Sequence, residues 1–203
     1  MLVEFSVENF MSIKDKAILS MVAGKDSLLP ENKFEINGEE LLRSVAIYGA
    51  NASGKSNLFK ALTMAVIMVR ISQRRQIGEK ILEVTPFKFD AESVNKPSKF
   101  EFIFVQNKIK YKYGFSANSE AIIEEYLYKY NSSKPTLIFK RENINEYKFI
   151  KKDEKILKDI QEKNIDNKLF LSTATSWNYK ETEDAYSWFD KKIDTYKIIM
   201  NLR

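Results

Sequence analysis

The chain has 203 residues, 44% hydrophobic and 13% aromatic, with 33 Lys+Arg against 28 Asp+Glu for a formal charge of +5. That is apolar material for one sizeable core, and the aromatic content excludes a disordered chain. With no Cys and no His, a disulfide scaffold, a Cys-ligated zinc site and the usual neutral-pH general base are excluded, so any hydrolysis would need Mg²⁺ and carboxylates.

The start, MLVEFSVENF, alternates Val3, Phe5 and Val7 with Leu2, Glu4, Ser6 and Glu8, which predicts a strand. It has no basic segment followed by a long apolar one, so it is not read as a signal peptide. Residues 17–22 (AILSMV) can pair with it across a turn at residues 12–15. Residues 23–40, with Gly24, Pro30 and Gly38, read as a connection. Residues 44–48 (SVAIY) form a short apolar run that fits a buried strand ending at Gly49.

The next segment is Gly49-Ala50-Asn51-Ala52-Ser53-Gly54-Lys55-Ser56, a full match to G-x-x-x-x-G-K-[ST]. Glycines let the backbone turn with its N–H groups inward as an anion nest, and the following helix adds its N-terminal dipole. Lys55 would reach the β- and γ-phosphates, and Ser56 would place its hydroxyl on Mg²⁺. A chance match in a chain of this size is on the order of one in a hundred. The plain structural alternative is a glycine turn capping a helix.

Leu58, Ala61, Leu62, Ala65, Val66 and Val69 then recur at helical spacing, predicting a helix from Lys55 to about Arg74. Its apolar stretch, residues 61–69, is too short to span a bilayer, which suggests a cytoplasmic protein without membrane contact. Arg70, Arg74 and Arg75 at its end read as compensation of the helix dipole, with DNA or phosphate contact as the alternative.

Residues 86–150 read as an antiparallel meander. FEFIFVQ and KIKYKYGF alternate on either side of Asn107, and further strands fall at residues 122–130, 136–141 and 147–150. The Lys–aromatic interleaving suits a half-buried strand, and a nucleic-acid face is the alternative. Amphipathic helix is expected at residues 153–163, another apolar run begins at residues 169–174, and helix is expected again at residues 184–196. No apolar strand ending in Asp or Asp-Glu follows the glycine loop. The nearest, Ala121-Ile122-Ile123-Glu124-Glu125, has a short apolar run and lies in the meander. No LSGGQ-like segment is present.

Several blocks together resemble a known group. The opening Val3-Glu4-Phe5-Ser6-Val7-Glu8-Asn9-Phe10 followed by Ser12-Ile13-Lys14-Asp15, and the loop with Asn51 and Asn57, resemble SMC/RecF-like ABC ATPases. More narrowly, residues 48–57, Pro86-Phe87-Lys88-Phe89-Asp90, Tyr111-Lys112-Tyr113-Gly114-Phe115, Glu124-Glu125-Tyr126-Leu127-Tyr128 and Leu169-Phe170-Leu171-Ser172 are similar to stand-alone bacterial AAA-annotated ATPases of the RloA and OLD type, many of them associated with phage defence. The resemblance covers nearly the whole chain. Its P-loop is specific and its other blocks are softer.

The resemblance implies an α/β P-loop NTPase of ABC type, its N-terminal lobe carrying an attached antiparallel β-subdomain. Residues 1–85 would hold the first strands, P-loop and helix, residues 86–150 the meander, and residues 151–203 a helical segment cut short. ATP and Mg²⁺ are the implied cofactors, held by residues 49–57. The signature helix, the acidic strand and the switch His would lie elsewhere, so no catalytic residue is assigned in this chain. The implied partners are a second copy in a head-to-tail dimer, DNA or RNA, and a defence effector. Rival readings are a RecF-type recombination ATPase and a non-catalytic interaction module. A P-loop kinase is disfavoured, because nothing resembles a lid of arginines over an acceptor pocket. Two departures stand out: Met11 occupies a position often held by Arg, where Lys14 could partly substitute, and the Mg²⁺-contacting Gln has no clear counterpart among Gln73, Gln76 and Gln106.

Overall fold

Period-2 alternation decides the architecture, because most apolar side chains of the strands fall on one face and need a cover. The computed structural model describes residues 1–25 and 29–194. In chain order these form β1 (Leu2–Glu8), β2 (Ala17–Ser20), β3 (Lys33–Ile36), β4 (Glu39–Leu42), α1 (Lys55–Ile71), α2 (Ala91–Val94) and β5 (Ser98–Gln106). Then follow β6 (Ile109–Ala117), β7 (Ile122–Tyr130), β8 (Thr136–Glu142), β9 (Glu146–Phe149), α3 (Glu154–Gln161), α4 (Phe170–Ser176) and α5 (Lys180–Lys191).

The larger sheet has seven strands in the order β2-β1-β5-β6-β7-β8-β9, every neighbouring pair antiparallel. The meander expected from the sequence is therefore present. It is not separate from the N-terminal strands, since Phe5 lies opposite Phe102 and Val7 opposite Phe100. Asn107 and Lys108, with φ of 50° and 62°, make the two-residue turn between β5 and β6. Two positive φ values give the turn whose twist matches the strands.

The inner face carries Phe5, Phe100, Phe102, Phe104, Tyr113 and Phe115, all buried. Helices α1, α4 and α5 contribute to the same core. Phe104 stacks on Trp188 at 4.3 Å, and Phe102 meets Phe189 edge-on at 5.0 Å. Such pairs add about 0.5–1.5 kcal/mol beyond their area burial. In α1 the buried stripe includes Ala61, Leu62, Ala65, Val66 and Val69, the positions read from the periodicity.

Three expectations are corrected. Residues 23–40 are more than a connection, because β3 and β4 form a hairpin over Asn37 and Gly38, whose φ values are 54° and 77°. Leu41 of this hairpin packs with Val3 and Val105 in a second small cluster. The arginines at and after the end of α1 do not act as dipole compensation alone. Arg70 donates to the carbonyls of Phe189 (2.7 Å) and Ile193 (2.6 Å), closing the end of α5, while buried Arg75 pairs with Glu83 at 2.6 Å. The exposed member is Arg74. Finally, α5 starts earlier than expected, at Lys180, and residues 195 and 196 of the expected helix lie outside the described residues.

Candidate functional site

The glycine loop leads directly into α1. Its cap, Gly54, has φ 93° and no side-chain capping bond, and Ala52 also has positive φ, 63°. The first-turn N–H groups of a helix lack the usual acceptor four residues back. Here Asn57 N–H turns to Gly54 O at 2.9 Å, and the N–H groups of Lys55 and Ser56 lie beside the loop at the positive end of a 17-residue helix. Lys55 folds back over the loop, its Nζ donating to the carbonyls of Gly49 (2.7 Å) and Ala50 (2.6 Å) and to Ser53 Oγ (3.3 Å). The ammonium is thus held at the loop itself. A Cβ on Gly49 would stand 3.0 Å from Ser53 Oγ, so a larger residue there would push that hydroxyl aside. Asn51, Ala52, Ser53 and Ser56 are exposed. Together the loop and helix start can receive an anion.

A second wall comes from the turn between β1 and β2. Ser12 Oγ accepts a hydrogen bond from Asn57 Nδ2 at 2.6 Å and lies 3.4 Å from where a Cβ on Gly54 would be. Buried Asn9 anchors this turn. Its amide donates to the carbonyls of Ser93 (2.9 Å) and Lys96 (2.8 Å), and its Oδ1 accepts from Phe87 N–H at 3.0 Å. Met11 N–H donates to Thr85 O at 2.8 Å. The Asn-Phe-x-Ser block and the Pro-Phe-Lys-Phe-Asp block, far apart in sequence, are therefore stitched side by side, and the first of them meets the start of α1 through Ser12. Sequence reasoning missed Ser12 as the contact to the helix. Lys14 instead pairs with Asp90 at 3.5 Å. Hydrogen bonds from Ser93 and the charge of Lys14 hold the Asp90 carboxyl below its ordinary range, against a smaller desolvation effect.

The glutamines considered for Mg²⁺ do not meet the loop. Gln73 and Gln76 follow the far end of α1, about 25 Å away at 1.5 Å per residue. Gln106 closes β5 beside the first residues of β1, at the opposite end of that strand from the Ser12 turn. The nearest acidic candidate is structural. Glu125 is fully buried on β7, directly across from buried Arg141 on β8. It accepts from the backbone N–H of Phe170 (2.6 Å) and Leu171 (2.9 Å) and from Tyr113 O–H (2.9 Å). Burial pushes its carboxyl upward, opposed by those N–H groups and by the Arg141 charge. Arg141 in turn donates to the carbonyls of Ile144, Lys168 and Asp166. The pair fixes the approach to α4.

Residues 44–48 are not the buried strand that was expected. They belong to neither sheet, and Val45 is 40% and Tyr48 90% exposed. A strand exists only through its neighbours, and among the described residues none lies beside this one. No group of three or more His, Cys, Asp or Glu that could hold a metal occurs among the described residues. Among them, too, no helix is long and apolar enough to cross a membrane.

The family model described as "AAA domain, putative AbiEii toxin, Type IV TA system" matches residues 44–192, a span that starts with the segment leading into the glycine loop and ends after α5. No curated protein matches the chain. A mixed α/β fold with a large antiparallel sheet, a glycine loop opening a helix and a match over most of the length lead to one conclusion: the chain belongs to this AAA-domain family, with a P-loop NTPase-like α/β fold of the nucleotide-binding ATPase class.

Proposed function

We propose that residues 49–57 grip the phosphates of ATP, and that this chain is the binding lobe of an ABC-type ATPase. The observation that carries the reading is Lys55. Its ammonium is drawn to the Gly49 and Ala50 carbonyls at the positive end of α1, where a polyphosphate would be held by backbone N–H groups and one fixed cation. Ser56, exposed in the first turn of α1, would supply one oxygen to Mg²⁺. That ion usually takes most of its remaining ligands from phosphates and water, so a site with a single protein oxygen fits a metal arriving with the nucleotide. The metal would neutralise charge on the phosphates. The chain's own part is to bind and orient them.

The groups that cut the bond would come from outside this lobe. Glu125, the acid of the nearest match to the expected pattern, is committed to α4, and residues 44–48, which lead into the loop, belong to neither sheet. A parallel strand ending in a carboxylate and laid against residues 44–48 would complete both the sheet and the site. ATP·Mg²⁺-driven pairing of two copies, and an output directed at nucleic acid in a phage-defence setting, rest on the resemblance. The type IV toxin–antitoxin wording of the family description is of the same kind. The test is calorimetry of ATP·Mg²⁺ binding to the chain and to Lys55→Ala. Binding lost in the variant supports the reading, and unchanged affinity refutes it.

A further inference from the structure

We propose that the cavity between the turn at residues 76–79 and the segment 164–167 binds a primary alkylammonium group, the head of a lysine side chain or of a free diamine. It lies beyond the end of α1 remote from the glycine loop and asks nothing of the phosphate site. The space is about 310 Å³. Its wall carries the carboxylates of Glu120 and Asp166, and among the described residues no Lys or Arg lines it, although the chain as a whole has a charge of +5. Neither carboxylate pairs with a cation among the described residues. Asn167 supplies a third acceptor. It is 3% exposed, and its Nδ2 donates to the carbonyls of Gln76 and Glu79, both at 2.8 Å. That leaves Oδ1, the other fork of the amide, buried without a hydrogen-bond partner. A buried acceptor left unmade is costly, and a donor entering the cavity is what this oxygen lacks.

The walls are fixed before any ligand arrives. Asp166 O accepts from Ile122 N–H at 2.8 Å and from Arg141 Nη2 at 3.1 Å. Asn118 Oδ1 accepts from the N–H groups of Glu120 and Ala121, both at 2.8 Å, and sets the turn that presents Glu120. Gln76 N–H donates to Glu79 Oε2 at 2.9 Å, and Gly78, with φ of 78°, turns the chain there and leaves open space where a side chain would stand. The remaining lining is aliphatic: Ile165 is half-buried and Ile77 is 86% exposed. An ammonium has three donors and no acceptor, which matches three acceptor groups with nothing to donate back. Its methylene stem can lie along the two isoleucines while the charge meets the acids.

The experiment titrates cadaverine and Nα-acetyl-lysine methylamide into the chain and follows ¹⁵N–¹H NMR signals. The expected result is a saturable shift of the Asn167 side-chain amide and of Gly78 N–H. Tetramethylammonium carries the same charge and no N–H, and it should leave the Asn167 signals in place. The variant Glu120→Gln with Asp166→Asn should bind about fivefold more weakly, the effect of two exposed charge pairs. Both acids are exposed, so the variant folds. A response to the lysine model, with or without one to cadaverine, supports the site and names a protein lysine as its occupant. A response to cadaverine alone supports the site and names a free diamine. Asn167 signals that move with neither, or that move as far with tetramethylammonium, overturn the proposal, as does unchanged affinity in the double variant.

Discussion

Asn57 donates its side-chain amide to the Ser12 hydroxyl at 2.6 Å, tying the first turn of α1 to the turn between β1 and β2. A P-loop helix start is held by its own glycines only in part. Here a residue 45 positions earlier completes it. Ser12→Ala should cost about 0.5 kcal/mol, the low end for a single hydrogen bond because this one is exposed. Amide hydrogen exchange in the first turn of α1 should quicken. Protection factors identical to those of the unaltered chain would show that the bond does not hold the helix start.

The two loop glycines should respond differently to alanine. At Gly54, φ of 93° forces any Cβ into left-handed strain, so Gly54→Ala should destabilise by about 1–2 kcal/mol. Gly49 has no positive φ, and a Cβ there meets only the movable Ser53 hydroxyl at 3.0 Å. Gly49→Ala should therefore cost less stability while loosening the loop. Urea unfolding of both variants ranks them, and an equal or reversed order contradicts the geometry.

Glu125→Ala should cost about 2–3 kcal/mol, the effect of leaving buried donors without their acceptor. It strips the N–H groups of Phe170 and Leu171 and the Tyr113 hydroxyl of the oxygens they donate to. Urea denaturation measures this. A variant that keeps its stability would reopen a direct chemical role for Glu125.

Glu142 accepts from Lys140 Nζ at 2.6 Å and Lys148 Nζ at 2.9 Å, and these bonds lower its carboxyl from 4.5 to about 2. The sign follows from the lowering. The contribution to stability is fully present above the ordinary carboxylate value and fades as pH falls from 4.5 toward 2. Carboxyl ¹³C shifts followed against pH should titrate near 2 for Glu142, and Lys148→Met should move that value back up. A midpoint near 4.5 in the unaltered chain would contradict the bonding pattern.

The sequence showed α1 and the meander well, because their signals are local. The apolar stripe of Ala61, Leu62, Ala65, Val66 and Val69 needs only helical spacing, and β5 to β8 each pair with the next strand in the chain. The β3–β4 hairpin was also legible. Asn37-Gly38 is a strong two-residue turn signal, masked by the polar stretch around it. What could not be read was what depends on distant partners. Residues 44–48 have the composition of a buried strand and no strand beside them. Arg70 looks like a helix-end cation until α5 supplies its acceptors. The Ser12–Asn57 contact joins residues that no periodicity relates.

The grip of Arg70 on α5 also makes α1 a stiff lever. One end carries the loop and the other is latched to the carbonyls of Phe189 and Ile193, roughly 25 Å away along the axis. A helix shortens little under load, so an ångström of recoil at the loop would have to reach that latch as nearly the same displacement. Trp188, in the last turn of α5 and stacked on Phe104, would then serve as a built-in optical gauge of events at a site it never touches.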